Sequence, residues 1–117
     1  MNRHRDMRAE LRKMQEFQQL MRDYKLFLRQ AIERDVPEQA RIRMMIGVED
    51  MACELCETIW NERNGYWRRL LEVDTVESEI VRVTICEIRI LRRMIRAEFP
   101  YHDSNLIRDY NFPLLLE

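Results

Sequence analysis

Apolar residues in the first third of the chain recur at helical spacing. Met7, Met14, Met21 and Leu28 repeat every seven positions, and Phe17, Tyr24 and Ala31 sit three places after the last three of them. This is an a/d stripe over about four heptads, interrupted at one d position by Glu10. Leu11 and Ile32 widen one flank of the stripe, Leu20 and Phe27 the other. No Gly or Pro occurs between Asp6 and Arg34, so the spacing predicts one helix over residues 6–34. Such a helix of ~29 residues is about 43 Å long, far beyond the globular average. It needs another long helix alongside, from this chain or from a second copy. A homodimer seam through Met7, Met14, Phe17, Met21, Tyr24 and Leu28 follows as an expectation.

Asp35-Val36-Pro37-Glu38 reads as a stop and a restart, with Asp35 as N-cap, Pro37 in the first turn and Glu38 at the capping-box position. The second helix is expected over 36–63. Met45, Val48, Ala52, Leu55, Ile59 and Arg63 follow helical spacing, while Asp50, Glu54, Glu57 and Asn61 fall opposite. Asn64-Gly65 suits a C-cap, and Tyr66 to Leu71 a short helix or an extension.

Asp74-Thr75-Val76-Glu77 repeats the capping-box pattern. Beyond it, Val81-Arg82-Val83-Thr84-Ile85 alternates like a strand. Yet Val81, Ile85, Ile88, Leu91, Ile95 and Phe99 also form a helical stripe, with Val76, Ile80, Val83, Ile90 and Met94 adjoining. The capping pattern and the lack of hairpin turns favour a third helix over 75–99. Being apolar over more than half its circumference, it is expected to be the central one. Pro100 ends it, because a residue before proline is pushed out of helical geometry. Residues 100–117 are expected to hold a short helix, capped by Asp103-Ser104-Asn105 and running through Tyr110, and then the apolar tail Phe112-Pro113-Leu114-Leu115-Leu116. Trp60, Tyr66 and Trp67 are candidates for the pocket that receives that tail.

These elements define an all-α bundle of three main helices and one or two short ones, in one domain spanning 1–117. The composition agrees: among 117 residues there are two Gly and three Pro, too few for the tight turns of a β-sandwich or barrel. No apolar stretch approaches a membrane span. The N-terminus leads into no secretory h-region, so an intracellular, cytoplasmic or nuclear location with reduced thiols is expected.

Charge adds a second theme. Twenty basic residues balance twenty-one acidic ones, for a net charge of -1, but eighteen of the basic residues are Arg; Lys13 and Lys25 are the two lysines. On the third helix Arg82, Arg89, Arg93 and Arg96 share a narrow arc, with Arg92 nearby. Arg3, Arg5, Arg8, Arg12 and Lys13 crowd the start of the first helix, where cations oppose the macrodipole. Arg presents a planar fork that suits carboxylates and phosphates. Two destinations compete: acidic faces on another protein, and phosphates of RNA or DNA. The neutral total favours protein, because nucleic-acid binders are usually basic overall.

Candidate chemistry is sparse. Cys53-Glu54-Leu55-Cys56 has zinc-ligand spacing, and Cys86 could supply a third thiolate, but a second C-x-x-C pair or a spaced His pair is missing. On a helix, Cys53 and Cys56 lie one turn apart as two small core thiols. His4 and His102, the two histidines, are expected near the chain ends and in solvent. Two isolated glycines cannot build a phosphate loop. The reading is a non-catalytic, cofactor-free, helical protein-interaction or regulatory module, acting as a homodimer. Its contacts are Arg82, Arg89, Arg93, Arg96, Trp67, Phe112 and Leu115. An RNA- or DNA-binding helical dimer and a zinc-stabilised helical domain are the alternatives. An Arg-rich, Met-rich, Gly-poor small helical chain also fits the composition of a viral or phage accessory factor.

Overall fold

A computed structural model describes residues 3–61 and 65–109, with side chains over 7–60 and 65–108. Five helices follow in order: α1 (Arg3–Arg34), α2 (Glu38–Asn61), α3 (Tyr66–Leu70), α4 (Val76–Glu98) and α5 (Asn105–Asp109). No strand occurs among the described residues. The strand-like run Val81–Ile85 lies inside α4, and its helical stripe is the face that packs: Val81, Ile85, Ile88, Leu91, Ile95 and Phe99 are all buried.

The centre of the bundle is α1 and not α4. It lies along both α2 and α4, which touch each other little. The adjoining apolar face expected to bury α4 more deeply is only partly used, and Val76 at its start is 76% exposed. Met14, Phe17, Met21, Tyr24 and Ala31 are buried in the core, and Met7 and Leu28 pack at its margin. The seam expected to meet a second copy is therefore covered from within the chain. Of the flanking residues, Leu11, Leu20 and Phe27 pack against the core, whereas Ile32 is 82% exposed.

Polar residues set the register between these helices. Glu10, the break in the heptad, accepts a hydrogen bond from Thr58 Oγ1 of α2 at 3.2 Å. Gln18 Nε2 of α1 donates to Ile80 O and to Thr84 Oγ1 of α4, both at 3.2 Å. Lys25 pairs with Glu87 at 2.9 Å. Each contact partners a polar group that packing has taken partly out of water.

The helix ends differ in detail from the sequence expectations. Asp35 does not cap α2. It has φ 55°, the left-handed conformation that Asp tolerates better than most residues. With Val36 N bonded to Ala31 O at 3.1 Å, it closes α1 in a Schellman turn. Pro37 O instead accepts the first bonds of α2, from Ala40 N and Arg41 N. Gly65, expected at a C-cap, takes φ 65° and precedes α3; Asn64 lies outside the described residues. The capping box of α4 is built from Thr75 and Ser78, one register later than Asp74 and Glu77. Ser78 N donates to Thr75 Oγ1 at 3.1 Å and Thr75 N to Ser78 Oγ at 2.8 Å.

Candidate interaction site

The connection from α4 to α5 runs over Phe99 to Ser104. Phe99 N still bonds back to Ile95 O at 2.8 Å, but Phe99 itself leaves helical geometry, as the following Pro100 requires. Its ring stays in the core while Tyr101, two residues on, is fully exposed. Ser104 then caps α5: its hydroxyl accepts from Ile107 N at 3.3 Å, and its carbonyl from Arg108 N at 3.0 Å.

This turn is fastened to α2 by a buried carboxylate. Glu49 is 5% exposed. It accepts from Ser104 Oγ at 2.5 Å and from His102 Nε2 at 3.1 Å to each carboxylate oxygen. Ser104 donates to Glu49 and not to His102, so the three residues clasp the α4–α5 turn to α2. The sequence reading placed His102 in solvent and overlooked Glu49. The signal was present: Glu49 falls within the buried α2 stripe, four residues after Met45 and three before Ala52, where an acid needs a partner.

Beside the clasp, a cleft of about 340 Å³ opens between the end of α4 and α5. Phe99, Pro100 and Ile107 supply apolar lining, and Arg96, His102, Asp103, Ser104 and Arg108 the polar lining. Its polar groups are mostly partnered within the chain. His102 meets Glu49, and Arg108 reaches Asp103 at 2.5 Å and also Asn105. Arg96 differs: it is exposed, and among the described residues it makes no hydrogen bond or ion pair. Arg93, three residues earlier on α4, is in the same situation.

The remaining candidates separate clearly. Arg82 is a strap: its Nη2 donates to Leu71 O at 3.0 Å and Val73 O at 2.8 Å, and Nη1 to Ser78 Oγ at 3.3 Å. It fixes the α3–α4 connection from within. Arg89 is half-buried and already interacts within the chain. So does Arg92, whose pKa is lowered, first by burial and then by the charge of Arg96, with Arg89 adding to it. Trp67 is a core residue, 3% exposed, with Tyr66 edge-on at 5.1 Å, and so is no surface anchor. Phe112 and Leu115 lie outside the described residues, as does His4's side chain.

The three cysteines differ in exposure. Cys56 is buried, Cys53 half-buried and Cys86 exposed. Among the described residues no three His, Cys, Asp or Glu side chains converge as metal ligands. Burial pushes the Cys56 thiol well up, with the neighbouring Cys53 adding to the effect, so it stays protonated and packs as a small hydrophobe. Likewise, no helix among the described residues is long and apolar enough to cross a membrane.

No family model, curated protein or solved structure matches the chain.

Proposed function

We propose that this protein is a non-catalytic helical interaction module that docks an acidic segment of another protein on the outer edge of α4 and the turn that follows. The observation that carries this reading is the pair Arg93 and Arg96, exposed and without an ion-pair partner among the described residues. Arg89 and Arg92 lie within a turn of them and add to the local positive potential. Fully exposed Tyr101 follows α4 in the chain, and Tyr and Arg are among the residue types that dominate binding hot spots. From residue 89 to residue 96 the basic edge is about 10 Å long. That suits a short acidic stretch better than the many phosphates a nucleic-acid binder engages, and the net charge of -1 points the same way. The reading needs no second copy, because the apolar seam of α1 is filled within the chain.

The test uses fluorescence anisotropy with a labelled oligoglutamate peptide and, separately, labelled single-stranded and duplex oligonucleotides. The peptide should bind, more weakly as salt rises. Reversing Arg93 and Arg96 to Glu should cut affinity at least tenfold and leave the unfolding midpoint unchanged. Equal binding by the reversed protein removes the proposal. Tighter capture of an oligonucleotide than of the peptide transfers the site to nucleic acid.

A further inference from the structure

We infer that the cleft between α4 and α5 receives the C-terminal residue of a partner chain, its carboxylate on Arg96 and its apolar side chain over Phe99, Pro100 and Ile107. This deepens the interaction reading and rests on it. The cleft offers one cation with no counter-charge among the described residues, beside an apolar lining. Its other basic side chains are engaged: Arg108 pairs with Asp103, and His102 is hydrogen-bonded to Glu49. A ligand that completes it carries one negative charge close to an apolar group. An Asp or Glu side chain holds its carboxylate on a short stem between two polar peptide groups. At a chain's C-terminus, the carboxylate and a large side chain grow from the same carbon.

Size agrees. A space of about 340 Å³ holds roughly eleven waters, enough for one residue and too little for a helix. The guanidinium fork of Arg96 can meet both carboxylate oxygens, a geometry lysine lacks. Geometry also argues for a preformed seat. The Glu49 clasp holds His102 and Ser104 from below, so the cleft wall is fixed before a ligand arrives, which lowers the ordering cost of binding.

The experiment titrates the full chain with three peptides of one Gly-Ser sequence: one ending in Phe with a free carboxylate, one ending in Phe amide, and one ending in Gly with a free carboxylate. Binding is followed by amide and side-chain NMR shifts at Phe99, His102 and Ile107. The Phe acid should bind at least tenfold tighter than either of the others. Arg96→Gln should abolish that preference, and Arg96→Lys should restore only part of it. Equal affinity for acid and amide, equal affinity for Phe and Gly, or an unchanged preference in Arg96→Gln overturns the inference. Oligoglutamate binding, measured in parallel, keeps the two proposals apart. If it persists while the Phe acid fails, only the C-terminal seat falls. If both fail, the underlying interaction reading falls with it.

Discussion

His102 Nε2 lies 3.1 Å from both carboxylate oxygens of Glu49, so a ring on the α4–α5 turn leans on a carboxylate that α2 has taken out of water. Ser104 completes the arrangement at 2.5 Å. A buried carboxylate is tolerated when its lone pairs are met, and removing one member leaves the others unmatched.

Glu49→Ala should therefore lower unfolding free energy by about 1–3 kcal/mol, read from the urea midpoint. In a double-mutant cycle with His102→Ala, the coupling between the two residues should exceed ~1 kcal/mol. A coupling near zero would show that Glu49 is held by packing and Ser104 alone.

Tyr24 provides a pH signature. Burial raises its phenol from an ordinary 10.0 to about 12, with the Glu98 charge adding and Arg41 opposing. The fold thus favours the neutral form. This contribution is complete below pH 10 and is lost as pH rises from about 10 through about 12, on the order of 2 kcal/mol. Tyr24→Phe cannot ionise, so its stability should fall less steeply over that window than the wild type's. Parallel curves in alkaline unfolding titrations would place the tyrosinate in contact with water.

Much of the fold was legible because apolar periodicity reports which face of a helix is covered. The stripes Met14–Tyr24 and Val81–Phe99 named core residues correctly, and the break before Pro100 fell where proline sterics require. What periodicity does not report is the identity of the cover. The α1 seam demanded a long neighbour, and α2 and α4 of the same chain meet that demand from two sides. Capping positions slipped for a related reason. Asp35 can serve as an N-cap or adopt a left-handed turn, and Thr75 and Asp74 are both good caps, so the choice depends on how the connection closes.

The site was less legible. Arg82, Arg89, Arg93 and Arg96 share one arc, and an arc of identical residues carries no sign of which ones find partners. The partners come from distant or irregular backbone: two connection carbonyls for Arg82, and none among the described residues for Arg96. Glu49 and His102 are 53 positions apart, so their pairing follows only once α5 is placed against α2.

That division among the arginines is itself open to measurement. Arg82 is partly screened from water and reaches two carbonyls of the α3–α4 connection at 3.0 and 2.8 Å. Hydrogen bonds from a charged group contribute more than neutral ones. Arg82→Ala should thus cost about 1–2 kcal/mol of stability and speed amide exchange in residues 71–75. Arg82→Lys should recover less than half of that loss, because one ammonium cannot keep the Leu71 and Val73 carbonyls together with the Ser78 hydroxyl, which the fork meets from two nitrogens. Arg93→Ala, by contrast, should change stability by no more than about 0.5 kcal/mol while weakening acidic-peptide binding. If Arg82→Ala proved as mild as Arg93→Ala, the strap would be incidental, and Arg82 would rejoin the surface residues open to a partner.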